Sequence, residues 1–79
     1  MMDWDPQRYV WEQVAEIIEN RIKNGTYGPH TQLSEHRIAE ELGVARMTVR
    51  RAFKDLRERG VIVTLVGRGS FPARRDGQA

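Results

Sequence analysis

A glycine between two amphipathic segments constrains this chain most. Upstream of Gly43, Ser34 is a good N-cap for a short helix of about residues 35–42, in which Ile38, Ala39 and Leu42 share one face. Downstream, after Gly43-Val44-Ala45, a longer helix runs from about Arg46 to Arg59 and stops at Gly60. Its apolar residues Val49, Ala52, Phe53 and Leu56 have offsets of 0, 3, 4 and 7, which confines them to an arc of about 100°. So short a connection needs a positive φ at one residue, and glycine adopts it without steric cost. Ala39, small at the closest crossing, and the apolar residues Val44, Val49 and Ala52 then fix the two helices at a steep angle.

The hydrophobic period changes after Gly60. Val61-Ile62-Val63-Thr64-Leu65-Val66 is rich in β-branched residues and reads as a strand. Gly67-Arg68-Gly69 is a turn, and Ser70-Phe71 starts a second strand cut short by Pro72. Two strands alone are marginal in water, so the hairpin must pack on the helices. At the other end, residues 5–25 read as a helix with Asp5 as cap, Pro6 at its first position and Gly25 just past its end. Trp11, Val14, Ala15, Ile18 and Ile22 form its buried stripe, and Thr26 to Gln32, with Gly28-Pro29, is a loop. The order predicts a mainly α, α+β architecture: three helices and a two-stranded wing, a winged helix-turn-helix over residues 1–72. Residues 73–79 have no apolar periodicity and are expected to be a disordered tail.

With 79 residues there is room for one small domain and none for a separate cofactor domain. The absence of cysteine excludes a disulfide framework and a zinc finger, and His30 and His36 alone do not make a structural metal site. The longest apolar stretch is Val61 to Val66, far below the ~20 residues of a membrane span. The acidic start lacks the order of a signal peptide. The expectation is a cytoplasmic, nucleoid-associated chain without cofactor or metal. It is not an enzyme, because Ser34, Glu35 and His36, adjacent on a helix start, form no pocket.

Charge is segregated. Residues 1–45 hold four Lys/Arg against eight Asp/Glu, a net −4, and residues 46–79 hold nine against three, a net +6, within a total of +2. A basic half in a near-neutral chain is the footprint of a polyanion-binding face. With Arg46 at 0°, the longer helix places Arg57, Arg50, Lys54, Met47 and Arg51 between about 20° and 140°, and its apolar set between about 240° and 340°. Such a helix fits the DNA major groove, where arginine bonds guanine O6 and N7 and the first turns reach the bases. Base reading therefore falls to Arg46, Met47 and Arg50. Lys54 and Arg57, further along, face phosphate, as does Arg51 unless it pairs with Asp55; Lys54 and Glu58 have the same i,i+4 spacing. The helix start Ser34, Glu35 and His36 offers free N–H groups to phosphate, with capping by Ser34 as the plain alternative. Thr48 offers a hydroxyl. In the wing, Gly67 and Gly69 let the backbone approach the duplex and Arg68 enters the minor groove, unless the three form an ordinary hairpin turn.

Three segments carry a family likeness: Leu33-Ser34-Glu35-His36-Arg37-Ile38-Ala39, the run Leu42-Gly43-Val44-Ala45-Arg46-Met47-Thr48-Val49-Arg50-Arg51-Ala52-Phe53, and Val66-Gly67-Arg68-Gly69-Ser70-Phe71. Over about Trp11 to Phe71 the chain resembles the DNA-binding domain of the GntR family of bacterial transcription regulators. The resemblance implies sequence-specific binding of double-stranded operator DNA by a repressor. The residues matching Arg46 and Arg50 would read guanines in a short palindrome, those matching Met47 and Thr48 would lie at the DNA, and Gly67 would approach the minor groove. It also implies a two-fold homodimer. The chain departs from the pattern at Ala45, where serine or threonine is usual, at His30, where a glycine often ends the loop, and at His36, where one branch has arginine. Eight residues follow Phe71, so no effector domain is expected within this chain. The alternative reading is a protein-interaction module using apolar surface at Trp4, Tyr9, Val10 and Ile17.

Overall fold

The computed structural model describes residues 3–74. Three helices, α1 (Val10–Lys23), α2 (Glu35–Leu42) and α3 (Arg46–Glu58), precede a hairpin of β1 (Ile62–Leu65) and β2 (Gly69–Pro72). The strands are antiparallel, with Ile62 opposite Pro72 and Leu65 opposite Gly69. Pro72 thus ends β2 from within the ladder instead of cutting it short. Ala73 continues the contact, its N–H donating to the Val61 carbonyl at 2.9 Å. Of the tail expected over residues 73–79, residues 75–79 lie outside the described residues.

α2 and α3 begin where expected, and each stop has a local cause. Ser34 Oγ accepts from the Arg37 N–H at 3.1 Å, capping α2. Gly43 takes φ 69° and ψ 36°, and the Val44 N–H turns back to the Ala39 carbonyl at 3.1 Å. At the end of α3, Gly60 has φ 75°, and the N–H groups of Gly60 and Val61 bond the carbonyls of Arg57 and Leu56. That is the Schellman pattern, with Val61 as its buried apolar residue. A Cβ built on Gly43 meets nothing within 4 Å. Gly43→Ala is therefore expected to cost only the left-handed backbone penalty of roughly 1–2 kcal/mol, seen as a lower urea midpoint. An unchanged midpoint would contradict this.

α1 starts five residues later than the sequence suggested. Asp5 does not cap it. Its Oδ1 accepts from the Gln7 N–H at 2.9 Å, an Asx turn that competes with capping. Gln13 then pins the turn from inside the first helical turn: its Oε1 accepts from the Asp5 N–H, and its Nε2 donates to the Asp5 and Arg8 carbonyls. Pro6 accordingly lies in the turn and not in the helix.

One core joins the three helices and β1. Val14, Ala15 and Ile18 of α1 pack with Ile38, Ala39 and Leu42 of α2, with Val49, Ala52, Phe53 and Leu56 of α3, and with Leu33, Val61 and Ile62. Trp11 and Ile22, expected within the stripe, lie at its margin and are half-buried. Arg21 ties the back of the molecule together. It donates to the Tyr27 hydroxyl at 2.7 Å and to Glu41 on α2 at 2.6 and 3.0 Å, which holds the Glu41 carboxyl below its ordinary range.

Candidate nucleic-acid interface

α3 divides as its periodicity requires. Val49, Ala52, Phe53 and Leu56 are buried, while Arg46, Met47, Arg50, Arg51, Lys54 and Arg57 are exposed. Met47, on the same side, is 66% exposed. Because α1 packs against the buried side of α3, the opposite side stays open to a groove.

Within this face the side chains are not equally free. Arg50 donates from Nε and Nη2 to Glu35 Oε1, both at 3.2 Å, and its Nη1 lies 3.9 Å from Met47 Sδ. The Glu35 carboxylate, which would repel a phosphate, instead aims Arg50, and only its backbone N–H remains for an anion. Lys54 pairs with Glu58 at 3.0 Å, and Arg57 Nη1 reaches Thr64 Oγ1 on β1 at 3.5 Å. Exposed pairs of this kind contribute little, about 0–1 kcal/mol, and exchange readily for phosphate. Among the described residues no ion pair involves Arg46 or Arg68.

Arg51 does not form the alternative pair with Asp55. Asp55 pairs with Arg59 at 2.9 Å instead, and the Arg51 guanidinium lies 4.4 Å over the Trp11 ring. A cation–π contact with α1 draws this arginine to the side of the helix. At the start of α2, Ser34 is engaged in capping, and His36 Nε2 lies 3.2 Å from Glu40 Oε2 on an exposed turn. Thr48 is half-buried at the edge of the face.

The wing stands beside α3. The Arg68 N–H donates to the Leu65 carbonyl at 2.9 Å, which closes a four-residue turn with Gly67 at φ 77° in its third position. That is the geometry of a type II turn, which requires a positive φ there. Val66 at the tip is fully exposed. The Leu33 N–H donates to the Ser70 carbonyl at 2.8 Å, and Gln32 Nε2 donates to the Arg68 carbonyl at 2.9 Å. The wing is therefore fastened to the residues just before α2.

Two contributions escaped the sequence, the Glu35 clamp on Arg50 and the Gln32 bond to the wing. They span 15 and 36 residues, and no local spacing signals either. The apolar surface invoked for a protein-interaction module is smaller than expected. Trp4, Val10 and Ile17 pack against the core, leaving Tyr9, 71% exposed and stacked on Trp11. Acidic side chains gather elsewhere: Glu12, Glu16, Glu19 and Asp55 line the seam between α1 and α3 together with Arg8 and Arg59. No helix among the described residues is long and apolar enough to cross a membrane.

Comparison with known proteins bears on this face. A family model described as bacterial regulatory proteins, gntR family, matches residues 11–71. The histidine utilization repressor of Klebsiella aerogenes is 36% identical over 70 residues, 87% of this chain and 29% of that protein. The Glc operon transcriptional activator of Escherichia coli (strain K12) is 42% identical over 71 residues, 89% of this chain and 28% of that protein. The chain thus spans less than a third of the length of these relatives. Among solved structures, AraR(DBD) in complex with operator ORR3 superposes with a TM-score of 0.73 at 33% identity, covering 80% of this chain and 77% of that one.

Proposed function

Because the chain belongs to the GntR family of bacterial regulatory proteins, we propose that it is the operator-reading head of a bacterial transcription regulator. The family is one of regulators, not enzymes. The observation that carries the reading is the two-sidedness of α3: a buried apolar side, and an open side with Arg46, Met47 and Arg50 in its first turns. That side enters the major groove, with Arg46 and Arg50 on guanine and Met47 on an apolar base edge. Thr48, Lys54, Arg57 and the N–H groups at Ser34, Glu35 and His36 hold the phosphates, and Gly67, Arg68 and Gly69 meet the minor groove. Arg51, drawn to Trp11, contributes to the backbone field only at longer range. A head this small makes few base contacts alone, so two copies bind a palindromic site as a homodimer. The solved complex of AraR(DBD) with an operator supports operator binding, and the setting is the bacterial cytoplasm. A repressor and an activator both match this head, so the sign of regulation comes from where the operator lies. Repression results where it overlaps a promoter.

The test is selection of bound duplexes from a random pool, followed by titration at rising salt. An enriched palindrome is expected, with log affinity falling linearly in log salt as several phosphates are neutralised. No enrichment, or binding indifferent to salt, would reject the reading.

A further inference from the structure

We propose that Gln32 is the positioning residue of the wing, fixing the direction in which Arg68 is presented. The proposal rests on the wing facing DNA as described above. Arg68 lies between Gly67 and Gly69, which have φ of 77° and 108°. Glycine on both sides gives a segment wide conformational freedom, so an arginine there would sweep a broad cone. Yet both of its backbone polar groups are engaged: the N–H donates to the Leu65 carbonyl, and the C=O accepts from Gln32 Nε2, both at 2.9 Å. With the two peptides around Arg68 held, the direction in which its side chain leaves the backbone is set.

The fit is mutual. A Cβ built on Gly69 would lie 2.5 Å from Gln32 Nε2 and 3.3 Å from its Cγ. The Gln32 side chain therefore lies flat on a residue that must be glycine to admit it. The next residue, Leu33, bonds Ser70 through its backbone at 2.8 Å, so the segment before α2 runs as a short brace along the wing. Gln32 is exposed and outside the core. Its bond contributes little to folding and acts on where the wing points. Phosphate contact at the start of α2 and minor-groove contact by Arg68 thereby share one rigid frame.

The experiment compares Gln32→Leu and Gln32→Glu with the unsubstituted full chain. Leucine keeps the volume without the donor, and glutamate sets a charge against the Arg68 carbonyl. In the free protein, nitrogen-15 relaxation is expected to show Gly67, Arg68 and Gly69 falling from rigid order parameters of about 0.85 to below about 0.6 in both variants, with melting unchanged. On the selected operator each variant should bind more weakly, by between about twofold and tenfold, and the loss should vanish when Arg68 is already alanine. Wing amides equally ordered in all three proteins would overturn the proposal. So would losses from Gln32→Leu and Arg68→Ala that simply multiply. If the unsubstituted chain bound no duplex, the operator reading would fall, and the relaxation result would still decide whether Gln32 holds the wing.

Discussion

Phe53→Ala is expected to remove roughly 3–5 kcal/mol, the largest stability loss available from one side chain here. Phe53 is 1% exposed and the largest of the fully buried residues. It lies on the apolar side of α3, where the three helices and β1 share one core. A domain of this size holds about 4–12 kcal/mol in total, so the variant should be partly or wholly unfolded at 37 °C, with a low urea midpoint and weakened operator binding as a consequence. The small core leaves no second cluster to hold the fold. A cooperative transition within about 1 kcal/mol of the parent would show that the site collapses around the cavity, since the spread of such losses reflects how well a site can relax.

Arg46→Ala and Arg50→Ala should do the reverse, leaving melting unchanged and weakening the selected operator by roughly 1–3 kcal/mol each, about 5- to 150-fold. Each should relax preference at one base pair, whereas Lys54→Ala should weaken all duplexes alike and lower the salt slope by about one. Glu35 sharpens the test. With Arg50 held at 3.2 Å by its carboxylate, the arginine has less freedom to lose on binding. Glu35→Gln should therefore reduce discrimination at the base read by Arg50 while leaving non-specific binding intact or slightly stronger, because a negative charge leaves the face. Gel shifts on the operator and on single-base variants measure both quantities. Wild-type affinity in both arginine variants would remove base reading from this helix.

The parts of the fold governed by short-range rules were legible in the residues. Periodicity alone separated the buried and open sides of α3, and Gly43 and Gly60 marked helix ends because only a left-handed residue closes those turns. Ser34 capped as its chemistry dictates. Local rules do not decide where a side chain has two local options. Asp5 could cap a helix or close an Asx turn, and the bonds of Gln13, eight residues on, favour the turn. Arg51 could pair with Asp55 on its own helix, but Trp11 of α1 lies within reach only after packing. The Glu35–Arg50 and Gln32–Arg68 contacts were out of sight for the same reason. They exist only once α2 crosses α3 and the wing folds back.

Net charge is −4 over residues 1–45 and +6 over residues 46–79, and the second part includes the cations on the open side of α3. The domain is thus an electric dipole with little net charge. A duplex does not attract such a body strongly from afar, but its field gradient turns it. Molecules arriving wrong way round experience a torque that brings the arginine side forward. Steering of this kind raises the fraction of encounters that are productive. Added salt should then slow productive docking within about one Debye length of the DNA, some 8 Å at physiological ionic strength, before it loosens the complex already formed.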